Sequence, residues 1–185
     1  ENKNSQKYLL PMKDRLNNYY PDLKEIIVTE KVNDNKINEI TNKLKDVDLA
    51  FISVVVRIRM NKGIATIDPS YADLLKKLHE RGIPFIVTSF GSPYLPNYDY
   101  IDTYIAAYGY GSVLVEAAAN ALLTNIDITG RLPVDLDKEL IRGSQILVHR
   151  DDSILEKIDI SYSLSVIDSA IEAKIFPGAQ VYISQ

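Results

Sequence analysis

The sequence predicts an α/β fold: a three-layer α/β sandwich around a mainly parallel sheet, with a short C-terminal helix–strand appendage. Three observations predict it. Strand-like and helix-like patterns alternate at least three times between residues 24 and 123, the order that right-handed crossovers impose on parallel strands. The run DLAFISVVV (48–56) is apolar almost throughout, as a strand covered on both faces must be. With 185 residues, of which 46% are hydrophobic, the chain can bury one sizeable core and leave only a short extension.

Each element follows from local chemistry. YLLPMKDRLNNYYP (8–21) places apolar residues at helical spacing and stops at Pro21. KEIIVTE (24–30) is a compact β-rich run, which predicts a strand at about 25–30. In the next helix Asp34 is the expected cap, and Ile37, Ile40 and Leu44 share one face. Residues 48–56 then form the expected central strand. Asp68 as cap, Pro69 at the first helical position, a stripe of Tyr71, Leu74, Leu75 and Leu78, and a stop at Gly82 define a further helix. Strand 83–89 follows at once, then the turn-rich loop FGSPYLPNYDY (90–100) and a strand at 102–108. Ser112 is the expected cap of an Ala-rich helix carrying Val113, Leu114, Ala117, Ala118, Ala121 and Leu122. Near residue 130 the periodicity stops, and Gly130, Pro133 and Gly143 mark a surface meander. LSVIDSAIEAKIFPGAQVYIS (164–184) reads as a new helix followed by a strand.

Composition removes several classes of partner. A net charge of −4 and a pI near 5.2 give no basic footprint for nucleic acid or an anionic membrane. There is no cysteine and there are two histidines, His79 and His149, so neither a disulfide framework nor a thiolate or zinc site is expected. No apolar run reaches the length of a membrane span, and the first residues lack the apolar core of a signal peptide. Gly109-Tyr110-Gly111 runs from a strand into a helix in the manner of a dinucleotide turn. The third glycine of that fingerprint is needed for close helix packing, and its position holds Leu114. The pair therefore reads as the joint of an α/β unit, and no cofactor is expected.

The motifs carry a resemblance. VTSFGSPYLPNYDYIDTYIAAYGYGSVLVEAAANALLTNIDITGRLPV (87–134) contains, in order, Gly91, Pro93 and Tyr94, then Ala107 and Tyr108, then Glu116 and Ala117, then Gly130, Arg131, Leu132, Pro133 and Val134. This order resembles the second, α/β domain of glycoside hydrolase family 3, in particular its β-N-acetylhexosaminidase branch. SVVVRIRMNKGI (53–64) is similar to an earlier strand of that domain with its basic loop, so the resemblance spans roughly residues 20 to 135. It implies residues 1–135 as the α/β domain, lacking the first strand that opens the family's region, then 136–160 as a linker. The end, with its Phe-Pro-Gly-Ala run, resembles the start of a β-lactamase-like serine hydrolase domain over 161–185. Asn125 stands where many members of the family have glycine. Nothing resembles the barrel domain, where such enzymes hold a nucleophilic aspartate and, in this branch, a His/Asp acid–base pair.

The resemblance therefore implies an accessory, non-catalytic scaffold of a multidomain β-N-acetylhexosaminidase acting on cell-wall-type glycans. Its partners would be the barrel domain of the same protein and a carbohydrate at the joint, and its setting the bacterial periplasm or cell envelope. Two other classes stay open on the residues alone: a small-molecule or carbohydrate binding module of flavodoxin-like or Rossmann-like type, and a complete small hydrolase. The last needs an activated serine or paired carboxylates, yet Ser-x-x-Lys and Gly-x-Ser-x-Gly are absent and the acids show no pairing pattern. His79 near a helix end, His149 in the meander and Glu116 on the Ala-rich helix all have ordinary structural readings. In an open α/β sheet ligands and partners meet the loops at the carboxyl ends of the strands. The candidate contact residues there are Arg57 and Arg59 after one strand and Ser92 and Tyr94 after another, as hydrogen-bonding and stacking groups. The plainer alternative is that the arginines are solvated and the loop only shapes a turn.

Overall fold

The computed structural model describes residues 6–29, 31–58 and 66–149, together with Ser165, Ser169 and Glu172. Among them the chain runs α1 (Gln6–Tyr19), α2 (Asp34–Lys43), β1 (Ala50–Val56), α3 (Ser70–Glu80), β2 (Phe85–Gly91), β3 (Tyr104–Ala106) and α4 (Ser112–Leu122). The three strands are parallel, in the order β1-β2-β3, with Val56 opposite Gly91 and Ser89 opposite Ala106.

Strand alternation divides the core between the two faces. Ala50, Ile52 and Val54 of β1, with Phe85 and Val87 of β2, pack among Ile37 and Ile40 of α2 and Leu74, Leu75 and Leu78 of α3. Phe51 and Val55, with Phe90, pack among Met12 and Leu16 of α1 and Val115, Ala118 and Ala119 of α4. Helices thus cover both faces, which is the three-layer arrangement read from the apolar run. Small residues at Ala118 and Ala119 bring α4 close to the sheet, and the amide of Asn125 donates to the Tyr19 hydroxyl to tie the ends of α4 and α1 together.

Several local expectations shift by a residue. Asn33, rather than Asp34, caps α2, its side chain accepting from Lys36 N at 2.9 Å. Asp68 does cap α3, accepting from Ser70 N at 3.1 Å, with Pro69 already helical at φ −55°. The stop at Gly82 has φ +65°, and its flanking bonds, Gly82 N to His79 O and Ile83 N to Leu78 O, form the paired closure of a helix end that only glycine enters without strain. Gly111, rather than Ser112, holds the cap position of α4 and makes no side-chain bond there.

Two larger expectations are corrected. No strand is formed at 24–29: Ile26 and Val28 pack against the core and Ile27 is exposed, in the alternation of a strand, but among the described residues the segment pairs with no strand. In consequence β1 is an edge of the described sheet and β2 is its centre. An apolar run reports coverage of two faces, not pairing of two edges, and β1 has the first without the second. The Ala-rich helix is also turned from the expected stripe: Val115, Ala118 and Ala119 are buried, whereas Val113 and Leu114 are exposed.

Beyond α4 the meander is held by backbone bonds of its own. Ile128 and Val148 form an antiparallel bridge, Leu132 N donates to Ser144 O, Gly143 N donates to Leu132 O, and Asp137 accepts from Glu139 N and Leu140 N. The 136–148 stretch expected as linker is therefore folded back on residues 128–132. In the C-terminal appendage Ser165, Ser169 and Glu172 are helical and exposed, and the Ser169 hydroxyl donates to Ser165 O at 2.8 Å. The strand expected after Pro177-Gly178 lies outside the described residues.

Candidate functional site at the carboxyl end of the sheet

The three parallel strands deliver their carboxyl ends to one edge of the molecule. β1 leads to Arg57 and Ile58, both exposed; β2 leads to the loop with Ser92 and Tyr94; β3 leads to Tyr108 and on to the first turn of α4. Arg59 lies outside the described residues.

The β2 loop is built tightly from its base. Gly91 has φ +95°, and a Cβ there would stand 2.2 Å from the carbonyl oxygen of Val56. Only glycine allows the loop to pass so close to β1. Ser92 N then donates to Val56 O at 3.2 Å. Ser92 itself is buried, and its hydroxyl accepts from Tyr94 N at 3.4 Å. It supports Tyr94 from beneath the rim.

Two tyrosines lock the same turn. Tyr104 Oη donates to the carbonyl of Pro93 at 2.5 Å, and Tyr98 Oη donates to it at 2.7 Å. A phenol has one proton, so in the 2.6 Å contact between Tyr104 Oη and Ser89 Oγ the serine is the donor. Tyr98 Oη in turn accepts from Leu95 N at 2.8 Å, and the two rings meet edge-on at 5.5 Å. Both lone pairs of Pro93 O are thereby used, and Tyr94 projects from a turn with little freedom. The hydroxyls of Ser89 and Ser92 are engaged with a phenol and a backbone amide, so neither is set beside a base as a nucleophile would be.

Burial holds these phenols neutral. It pushes Tyr104 well above the ordinary tyrosine value, with the Ser89 bond acting the other way. Tyr98 is raised first by burial and then by the charge of Asp137 in the meander; Tyr108 is raised by burial and by Tyr94. For Tyr104 the folded value lies above the unfolded one near 10. The folded state therefore binds more protons above that pH, and its stability is complete below about pH 10 and falls as pH rises further. Urea midpoints measured across this range are expected to be level up to pH 10 and to drop beyond it, with a smaller drop in Tyr104→Phe. At neutral pH the same substitution strands Ser89 and removes a bond to Pro93, an expected loss of about 1–3 kcal/mol.

Five apolar side chains are exposed at this end beside Arg57. Ile58, Tyr94, Tyr108, Val113 and Leu114 are between 40% and 77% exposed, and they follow β1, β2 and β3 or open α4. α1 begins at the same end, because Tyr8 packs on Tyr110 with ring centroids 4.9 Å apart. A shallow hollow of about 340 Å³ lies between them, lined by Lys7, Tyr8, Pro11, Tyr110, Gly111 and Ser112. α1 thus flanks the Gly109-Tyr110-Gly111 joint through the Tyr8–Tyr110 contact and leaves Gly111 exposed. At Gly109 an added Cβ would meet Leu114 Cδ1 at 2.4 Å, the residue standing where a third glycine would be needed.

The other residues considered in the sequence sit apart. His79 is in the last turn of α3, with Nδ1 4.0 Å from Asp102, and His149 Nδ1 is 3.9 Å from Asp127. Glu116 is exposed on α4. Among the described residues no three of His, Asp or Glu converge as metal ligands, and no helix is long and apolar enough to cross a membrane. Tyr108 is the site residue that sequence reasoning names in a motif without giving it a role. Its signal is a bulky residue directly before Gly109, at a point where the chain turns out of a strand.

No family model matches the chain, and no curated protein matches it. Among solved structures it is similar to one described as "A unique GCN5-related glucosamine N-acetyltransferase region exist in the fungal multi-domain GH3 beta-N-acetylglucosaminidase". The likeness has a TM-score of 0.54 at 17% identity, over 92% of this chain and 18% of that one. It concerns the fold, and the chain spans less than a fifth of that protein's length.

Proposed function

We propose that this chain is an accessory, non-catalytic α/β domain of a multidomain β-N-acetylhexosaminidase of glycoside hydrolase family 3, acting on cell-wall-type glycans. It presents the carboxyl end of its sheet to a barrel domain of the same protein. The observation that carries this reading is that five exposed apolar side chains, Ile58, Tyr94, Tyr108, Val113 and Leu114, follow the three strands or open α4, at the end where the start of α1 also lies. An apolar patch of this kind, with Arg57 beside it, is what a covered joint between domains requires. The motif order from Gly91 to Val134 and the likeness to part of a multidomain family 3 enzyme support the same reading.

In this reading Arg57, Arg59 and Tyr94 contribute to the rim of the glycan cleft, with Ser92 setting the position of Tyr94. The nucleophile and the acid–base pair belong to the barrel. Residues 1–135 form the α/β unit with the stretch to 148 folded on it, and 161–185 open a β-lactamase-like domain.

The test is an aryl β-N-acetylglucosaminide assay on the purified chain and on the full-length parent. The parent is expected to turn over and the chain alone to be inactive. Turnover by the chain that survives repurification and disappears when one of its own carboxylates is changed would overturn the reading. A second measurement addresses the joint. Val113→Asp on the exposed first turn of α4 is expected to change the stability of the isolated chain by no more than about 0.5 kcal/mol. In the parent it buries a charge, and limited proteolysis is expected to separate the two domains more readily.

A further inference from the structure

Two stretches against the same core cluster have backbone groups that pair with no neighbour. In a parallel pair, alternate residues turn their N–H and C=O to the same neighbour. The bonds from Ala50 N to Pro84 O and from Ser92 N to Val56 O show that Ala50, Ile52, Val54 and Val56 face β2. The backbone groups of Phe51, Ser53 and Val55 therefore point to the opposite edge, where no described strand pairs with them. Residues 24–29 make no backbone–backbone hydrogen bond among the described residues, although Ile26 and Val28 pack against the cluster that holds Ala50, Ile52 and Val54.

These residues run alongside β1 in the same direction. The Tyr20 ring lies 5.9 Å from that of Phe51, near the start of β1. Lys31 Nζ lies 3.1 Å from Asp68, and Val32 N donates to Ser70 Oγ at 3.2 Å, both at the start of the helix that follows β1. Nor is the free edge of β1 guarded. AFISVVV carries no lysine or proline, and its continuous register leaves no bulge, the devices that keep a true edge strand from pairing.

The winding of the chain says what belongs there. α2, between 24–29 and β1, and α3, between β1 and β2, cover one face of the sheet. Right-handed crossovers on one face all step in the same direction, from 24–29 to β1 to β2. α1 covers the opposite face with α4, and a right-handed crossover there steps the other way. A strand that enters α1 and returns as residues 24–29 therefore stands on their β1 side. We propose that residues 24–29 and β1 flank a slot for one parallel strand, and that its occupant is an apolar strand of the parent polypeptide on the amino-terminal side of α1. Helices cover both faces at this position, so the occupant is apolar on both sides, as β1 is. It pairs with Phe51, Ser53 and Val55 on one edge and with 24–29 on the other. The inference is independent of the parent's reaction.

The experiment compares, by NMR, the 185-residue chain with the same chain extended by the about twenty residues that precede Glu1 in the parent, enough for a strand and its turn. In the extended chain, nuclear Overhauser contacts are expected from the added strand to residues 51–55 on one side and to residues 24–29 on the other. The amides of Phe51, Ser53 and Val55 are expected to exchange about 100-fold more slowly or better, and the melting temperature to rise by about 5–10 °C. Ser53→Pro deletes the middle donor of that edge. It is expected to cost little in the 185-residue chain and to abolish most of the rise in the extended one, whereas Ser53→Ala, which keeps the donor, retains it. Direct contacts between 24–29 and 51–55 in the extended chain, an added segment that pairs outside 24–29 or along β3, or unchanged exchange at Phe51, Ser53 and Val55 would overturn the slot. None of these results touches the accessory-domain reading, which turnover by the parent and not by the chain decides.

Discussion

Gly91→Ala is expected to destabilise the chain by about 4 kcal/mol, among the largest effects of any single methyl group added here. Two terms act together. At φ +95° an L-residue is strained whatever space surrounds it, and the new Cβ would lie 2.2 Å from Val56 O and 3.2 Å from Val56 C. Both are backbone atoms of the strand paired in register with Gly91, so no side chain can swing away. Relief requires β1 and β2 to part at their carboxyl ends. That breaks the bond from Ser92 N to Val56 O and moves Tyr94 with it. Equilibrium urea unfolding measures the loss. Gly130→Ala is the control, since a Cβ there meets nothing within 4 Å, and it is expected to stay within about 0.5 kcal/mol of the unmodified chain. Equal effects of the two substitutions would show that the close approach of β2 to β1 is not what glycine provides.

Phe90→Ala is expected to cost about 3–5 kcal/mol, through the other side of the same strand. Phe90 is fully buried and fills the centre of the layer between the sheet and the α1/α4 pair, among Met12, Leu16, Val115, Ala119 and Leu123. Removing the ring opens a cavity that two helices and a strand must collapse together to fill. Because α1 reaches the sheet through this cluster, its amides are expected to exchange much faster in the variant, while those of α3 keep their protection. Phe90→Leu keeps most of the volume, and its expected loss is under about 1.5 kcal/mol. Uniform loss of protection in α1 and α3 would show that the two faces of the sheet do not unfold separately.

Much of the fold was legible because it is written in short-range chemistry. Asp68, Pro69, the Leu74-Leu75-Leu78 stripe and Gly82 each act within one helical turn, and α3 forms where they place it to within a residue or two. The parallel α/β order was legible for a similar reason, since alternating periods leave few ways to cover a two-faced strand. What failed were statements about edges and faces. KEIIVTE has strand composition and residues 24–29 join no strand, because pairing depends on a neighbour's backbone, on which their own side chains are silent. Val113 and Leu114 are as apolar as Val115, and their exposure follows from how α4 is rotated against α1 and Phe90.

The candidate site divides in the same way. The Gly-x-Pro-Tyr loop and the Ala-Tyr strand end could be quoted from the chain, and Arg57 and Tyr94 fall at strand ends as the alternation requires. Ser92 could not be separated from them by sequence, because a serine beside a glycine is polar whether it faces solvent or, as here, lies buried under Tyr94. Nothing in the residue type marks Tyr108, because its left-handed backbone is a property of the turn and not of the residue.

Local patterns along the chain are enough for the α/β class, the four helices with the stops at Pro21 and Gly82, the strands of the sheet to within a few residues, and the motif order from Gly91 to Val134. These depend on periodicity and on residues a few positions apart, where a side chain acts on its own backbone. Three-dimensional packing is needed to make β2 the centre of the described sheet, to bring Ile58, Tyr94, Tyr108, Val113 and Leu114 to one end, and to set Tyr98 and Tyr104 as the lock on the Pro93 turn. Those are relations between groups far apart in the chain. They are set by how strand register and helix rotation satisfy packing and hydrogen bonding at once, and no local pattern encodes them.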